Sequence, residues 1–282
     1  MFSRVGLGAG SLGDARLTDA EAERLVHGAL DLGVTVFDTA RSYGASEDRL
    51  GRALAHRDHD VVVFTKGGYG VDGVPDWTGE VIRRGVDDAR RRLGRDRLDG
   101  FFLHSCGVDV LERGDVVDAL LEARASGKVR LTGYSGEGGA LAWAAARRDT
   151  FSALELSLSP FDQRNRGLAA AAERESFAVL AKRPLGNAPW RYGSRPERAD
   201  EATYWDRMRA MAFDPSPRGW AETAIRFAAF HPGVTTALVG TATLSHLEAA
   251  VRAAAAGPLP AGDAASLTAA FDRHGAGWAG VI

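Results

Sequence analysis

The sequence predicts an α/β fold of the closed (β/α)8 TIM-barrel class. Three observations carry this expectation. Short apolar runs alternate with segments of helical periodicity eight times along the chain. No glycine-rich dinucleotide turn joins the first strand to its helix, which disfavours an open doubly wound sheet. The 282 residues suit one barrel domain spanning 1–282, since such barrels run to roughly 250 residues.

The elements follow in order. A first strand is predicted over 4–8. The first helix, 19–31, can be capped by Thr18 or Asp19, and Glu21 completes a capping box with Thr18. Ala22, Leu25, Val26, Ala29 and Leu30 follow helical spacing along it, and Gly33 ends it in a short turn. Val34 to Phe37 is β-branched and aromatic and reads as a buried strand, 34–38, ending on Asp38. A helix over 46–56 leads to the run from Asp60 to Lys66, with its strand at 61–66. A helix over 79–93 precedes the strand 99–104, which ends on His104. Strands at 129–134, 152–158, 177–182 and 235–239 continue the series, with helices at 114–125, 138–148, 164–174, 219–230 and 243–255. Residues 186–218 carry Pro, Arg, Trp and Tyr with little periodicity and read as a long rim loop after the seventh strand, a length that is usually functional. Pro258 and Pro260 break the last barrel helix, and a short helix is expected at 262–273 within a C-terminal tail.

Composition excludes several classes. There are 35 Lys and Arg against 37 Asp and Glu, so the chain has no basic footprint for nucleic acid and no polybasic membrane patch. The runs Arg90 to Arg92 and Arg147 to Arg148 fall on predicted helices and read as solvated faces. One cysteine, Cys106, rules out an internal disulfide framework and a multi-cysteine zinc site, and no His-x-His or His-Glu-x-x-His pair is present, so no metal is expected. No signal-peptide pattern and no apolar run of spanning length occurs, and the expectation is a cytoplasmic protein.

Chemistry gathers at the strand ends. Three successive strands stop at Asp38, Lys66 and His104, and Tyr43 follows the first by five residues. In a parallel barrel equivalent strand ends share one rim, so these side chains should converge. Each has a bland alternative: a capping acid, a turn tyrosine, a solvated lysine, a structural histidine. The four in register are harder to dismiss, because Asp and Lys are seldom buried without a partner. Together they suit carbonyl reduction. Tyr43 would donate the proton, Lys66 would lower its pKa from the usual ~10, Asp38 would hold Lys66, and His104 would hydrogen-bond the carbonyl oxygen. No side chain supplies hydride, so a cofactor must.

At these residues the chain resembles the aldo-keto reductase superfamily. The matching motifs run from Gly6-Leu7-Gly8-Ala9-Gly10 through Asp38-Thr39-Ala40-Arg41-Ser42-Tyr43-Gly44, Thr65-Lys66 and Leu103-His104-Ser105. They continue with Gly127-Lys128-Val129-Arg130, Gly133-Tyr134-Ser135 and Leu238-Val239-Gly240-Thr241, in family order over residues 4 to about 251. The resemblance implies NADP(H) as cofactor, possibly NAD(H), and the catalytic set Asp38, Tyr43, Lys66 and His104. It implies nicotinamide contacts at Ser135 and Glu155, the latter where the family has Gln, with Gly136 where it has Asn. Lys182 stands where the family has a stacking aromatic, and Lys182 and Arg183, with Pro184 and Leu185 in the same run, would reach towards the pyrophosphate. Gly240, Thr241, Thr243 and His246 would meet the adenosine phosphate, while Ala249 and Ala250 replace an adenine-binding Glu-Asn pair. Weaker discrimination against NAD(H) is therefore expected. Rim-loop and tail aromatics, Trp190, Tyr192, Tyr204, Trp205, Trp220 and Trp278, are candidates to wall the pocket for a small carbonyl or alcohol substrate. Two other readings stay open: a cofactor-binding accessory barrel with little turnover, and an isomerase or lyase using the same Tyr/Lys pair.

Overall fold

The computed structural model describes residues 2–55, 61–174 and 177–281. Its strands are β1 (Val5–Gly8), β2 (Val36–Asp38), β3 (Val62–Gly67), β4 (Leu98–His104), β5 (Val129–Ser135), β6 (Ala153–Ser157), β7 (Ala178–Lys182) and β8 (Thr236–Gly240). Each pairs in parallel with its sequence neighbours, and β1 pairs with β8, so the sheet closes into a barrel. The helices outside it are α1 (Asp19–Asp31), α2 (Ser46–Ala53), α3 (Gly79–Leu93), α4 (Val108–Arg113), α5 (Asp115–Ala125), α6 (Gly138–Ala145), α7 (Arg166–Arg174), α8 (Ala199–Met211), α9 (Trp220–Ala229), α10 (Leu244–Ala255) and α11 (Ala261–His274).

The barrel interior is packed by alternating large and absent side chains. Val36, Phe64, Phe102, Ala153, Leu180 and Leu238 fill its lower layer. A Cβ on Gly100 would lie 2.3 Å from the Phe64 ring, and one on Gly133 would lie 2.2 Å from Phe102, so these two glycines make room for the two phenylalanines. α1 starts with the expected capping box: Glu21 N donates to Thr18 Oγ1 and Thr18 N donates to the Glu21 carboxylate.

Three expectations are adjusted. Residues 8–13, Gly-Ala-Gly-Ser-Leu-Gly, do carry dinucleotide-turn spacing, but they fold as a 3-10 turn over Ala9–Gly13, and α1 begins only at Asp19. The segment 186–218 is not an unstructured loop. It holds a 3-10 turn, Pro189–Arg191, and the helix α8, whose buried face is formed by Ala202, Tyr204, Arg207 and Met211. That face includes a charge, so it leaves no clean apolar stripe to read. α4 is an additional short helix between Gly107 and Gly114. His56, the expected end of the second helix, and Asp60, the start of the apolar run into β3, lie outside the described residues.

Candidate active site

The loop after β2 is seated by close backbone contact. A Cβ on Gly13 would sit 1.8 Å from the Tyr43 carbonyl oxygen, so only glycine lets the 3-10 turn lie against that loop. Gly44 follows at φ +53, with the Gly13 carbonyl oxygen 2.8 Å from where its own Cβ would be. Arg49 on α2 donates to the carbonyls of Leu12, Asp14 and Leu17 and so clamps the same turn. The result fixes Tyr43 at the C-terminal rim of the barrel.

Lys66 is fully buried at the end of β3. Its Nζ lies 2.6 Å from Asp38 Oδ2 and 3.2 Å from Glu155 Oε2, and it donates to the Thr39 carbonyl at 3.1 Å. The ammonium stands 5.2 Å from the centre of the Tyr43 ring. The His104 ring meets the Tyr43 ring edge to face, 5.8 Å between centres. Asp38, Tyr43, Lys66 and His104 are thus brought together, and Glu155 joins them.

Two carboxyls around one ammonium cannot both carry charge cheaply in a dry site. Burial, then the neighbouring Glu155, drive the Asp38 carboxyl well above the usual range. Glu155 stays low despite burial, because Lys66 and then Lys182 favour its charge. Burial opposes charge on Lys66, but the two acids outweigh it and hold Lys66 protonated. Asp38 Oδ1 has no hydrogen-bond partner among the described residues, and Glu155 Oε2 meets only the Lys66 ammonium, at 3.2 Å. A proton held on Asp38 relieves the repulsion between the two acids.

The remaining pair titrates outside the neutral range. Lys66 pulls the Tyr43 phenol down, as expected from sequence, but burial, Asp38 and Glu155 overcome it and the phenol is pushed up to about 12. The expectation of a lowered Tyr43 pKa is corrected accordingly: Lys66 is the largest single influence on the phenol, but burial together with Asp38 and Glu155 outweighs it. Burial, then Lys66, press His104 down to about 4, so its imidazole is neutral at pH 7.

A cavity of about 1110 Å³ opens over this group. Asp38, Tyr43, His104, Ser135 and Glu155 lie at its floor. Lys182, Arg183, Pro184, Leu185 and Trp190 form one side, and Gly240, Thr241, His246 and Arg252 lead out along α10. Glu155 is on the wall, but its carboxylate is engaged with Lys66 rather than free, and Lys182 is drawn to Glu137 at 3.6 Å. Arg183 donates to the Val281 carbonyl of the tail. Arg252 is exposed and makes no hydrogen bond or ion pair among the described residues.

Several expected wall residues lie elsewhere. Trp220 is stacked behind Trp190, ring centres 6.5 Å apart, and packs on Phe161 and Phe213. Trp278 packs on Phe271 and beneath the Arg207 guanidinium. Tyr192 turns outward to Arg191, Tyr204 is buried, and Trp205 Nε1 donates to the Tyr192 carbonyl. Thr243 is the residue before α10, where its N–H donates to Thr241 Oγ1, and it does not line the cavity. Cys106 is buried, and burial pushes its thiol up to about 12. Among the described residues no cluster of His, Cys, Asp and Glu could hold a metal ion, and no helix is long and apolar enough to cross a membrane.

Tyr69 was not anticipated. It lies three residues after Lys66, and its hydroxyl is 3.1 Å from His104 Nδ1 and 3.2 Å from Ser42 Oγ. An aromatic in the glycine-rich run Gly67-Gly68-Tyr69-Gly70, directly past a strand ending on lysine, was the available signal.

The chain is thus an eight-stranded parallel barrel with an Asp/Tyr/Lys/His group at its rim. The aldo/keto reductase family profile matches residues 4–272, and the chain belongs to that family. It is similar to D-threo-aldose 1-dehydrogenase of a Pseudomonas species, 29% identical over 252 residues, 74% of this chain and 75% of that one. The first curated relatives are matched over only 61% and 47% of their own lengths. Among solved structures, aldo-keto reductase AKR11C1 of Bacillus halodurans in its holo form shares the fold. Its TM-score is 0.81 at 24% identity, covering 95% of this chain and 92% of that one. An aldo/keto reductase of Klebsiella pneumoniae, solved with NADP and acetate, has a TM-score of 0.71 at 22% identity over 95% and 91% of the two chains.

Proposed function

We propose that this chain is an NADP(H)-dependent oxidoreductase that reduces an aldehyde or ketone to an alcohol, or runs the reverse oxidation, with Tyr43 as the proton donor. The observation that carries the reading is a fully buried Lys66, held by two acids, beside a tyrosine and a neutral histidine at the floor of a large cavity.

The residues present fit a phosphorylated dinucleotide. The cavity is slightly larger than the roughly 300–1,000 Å³ of drug-sized sites and is drawn out from His104 to α10. Gly240 leaves open backbone, since a Cβ there would meet only Gly8 O, at 3.9 Å. Arg252, without a partner among the described residues, and His246 offer cationic and hydrogen-bonding groups at the far end. Arg183, Thr241, His246 and Arg252 would hold the phosphates. Ser135, Glu155, Lys182, Pro184 and Leu185 would surround the nicotinamide end. The Klebsiella pneumoniae structure was solved with NADP, and the same cofactor is proposed for this chain. When bound, the reduced nicotinamide supplies the hydride.

The chain's own residues supply the rest. Tyr43, protonated through the neutral range, delivers its proton to the carbonyl oxygen as negative charge builds there. The uncharged His104 orients and polarises that oxygen by hydrogen bonding. Lys66 stabilises the phenolate left on Tyr43, and Asp38 and Glu155 keep Lys66 in place. For alcohol oxidation Tyr43 would act in its ionised form, which burial and then the two acids oppose.

The test is isotope transfer. With NADPH deuterated at the transferring position and a panel of aldehydes, the product alcohol should carry deuterium on its carbinol carbon. NADPH binding without label in any product would contradict the reading and favour an accessory role. Product formed without label would favour an isomerase or lyase.

A further inference from the structure

We propose that Tyr69 is a positioning residue that fixes the tautomer of His104, keeping Nε2–H aimed at the substrate oxygen. A neutral imidazole has one donor and one acceptor nitrogen, and only the Nε2–H form can donate from the ring edge opposite Nδ1. Among the described residues His104 Nε2 has no protein partner, while Nδ1 lies 3.1 Å from the Tyr69 hydroxyl. If Nδ1 accepts, Nε2 must carry the proton.

The Tyr69 hydroxyl has one proton and two acceptors in reach, His104 Nδ1 and Ser42 Oγ. The distances, 3.1 and 3.2 Å, do not separate the two acceptors, and the Tyr69 hydroxyl is oriented to donate to either. Two facts favour the histidine. An imidazole nitrogen is a stronger acceptor than a hydroxyl. Ser42 is exposed, so water satisfies it, whereas an unpaired Nδ1 in this mostly buried ring carries a desolvation cost.

The surrounding loop is built to hold Tyr69 still. Its ring stacks on His104, 5.6 Å between centres and 24° between planes, and packs on Trp77 at 5.5 Å. Trp77 N donates to the Gly68 carbonyl at 2.7 Å. Gly68 adopts φ +135, and a Cβ there would strike the Trp77 ring at 2.1 Å. Asp76 accepts from Gly70 N, and Arg41, paired with Asp88, donates to the Gly70 carbonyl. A hydrogen bond sets a tautomer only if its donor is held in place, and here both flanks of Tyr69 are pinned.

This inference rests on the carbonyl-polarising role given to His104 above, and the test separates the two. Nitrogen-15 resonances of His104, assigned with a His104→Ala variant, report the tautomer directly in the full chain. The wild type should show Nε2–H. Tyr69→Phe keeps the ring and should admit the Nδ1–H form, with kcat for reduction falling roughly 3- to 10-fold, the worth of one neutral hydrogen bond. Ser42→Ala should leave the tautomer unchanged. If Tyr69 instead gave its proton to Ser42, the wild type would show Nδ1–H and Ser42→Ala would convert it to Nε2–H, which overturns the inference. An unchanged tautomer in Tyr69→Phe overturns it as well. A changed tautomer with unchanged kcat upholds the Tyr69 inference and overturns the role of His104 in the reaction.

Discussion

Lys66 shows what burial requires of a single residue. An ammonium without exposure needs a counter-ion, and this chain supplies two, Asp38 from β2 and Glu155 from β6. Because only one of them need be ionised, either can serve alone. Glu155→Gln lets Asp38 ionise, and Asp38→Asn leaves Glu155 charged, so each single variant keeps Lys66 paired. Each should cost about 1–2 kcal/mol, mostly lost hydrogen bonding. The double variant leaves a buried ammonium unpaired and should lose a further 3–5 kcal/mol or so beyond the sum of the singles. Urea unfolding of the four proteins measures this. Additive losses would show that the acids act independently of Lys66. In sequence, the acid at 155 entered only as a nicotinamide contact implied by the family resemblance, because a strand position does not show which neighbour a side chain meets.

The elements were legible where one physical rule dominated. The β-strands are short and mainly apolar, and the barrel order follows from their parallel alternation with helices. The convergence of Asp38, Lys66 and His104 was readable because successive parallel strands end on one rim. α8 was not, because its inner face mixes Tyr204 and Met211 with the buried Arg207, which is paired to Asp162 at 3.5 Å and caps the tail at Ala279. A stripe broken by a charge shows no period until its partner is known. The aromatics of that region divide likewise: Trp190 reaches the cavity, whereas Trp220 and Trp278 stabilise the segments that carry the wall. The seating of the Tyr43 loop on the 3-10 turn offers the element-level prediction. Gly13→Ala places a methyl inside the contact distance of the Tyr43 carbonyl and must displace the loop. It should cost about 1–3 kcal/mol and reduce kcat/KM while leaving NADPH affinity near the wild-type value. A fully active Gly13→Ala protein would show that this contact does not place Tyr43.

At the scale of the whole molecule the barrel separates two tasks. Tyr43, Lys66 and His104 come from the loop and strand ends of β2 to β4, while the residues assigned to the cofactor phosphates come from the ends of β7 and β8 and from α10. Under the proposed function, proton delivery and cofactor binding sit on opposite arcs of one rim and should be separately alterable. Tyr43→Phe tests this most directly. It removes the hydroxyl proposed to donate the proton and keeps the ring that packs against Lys66 and His104. NADPH affinity, followed by nicotinamide fluorescence, should stay within about twofold of wild type, and kcat for aldehyde reduction should fall by at least about 10²-fold, the lower range for loss of a general acid. A Tyr43→Phe protein that binds NADPH and keeps its kcat would contradict the account, because some other acid would then be delivering the proton.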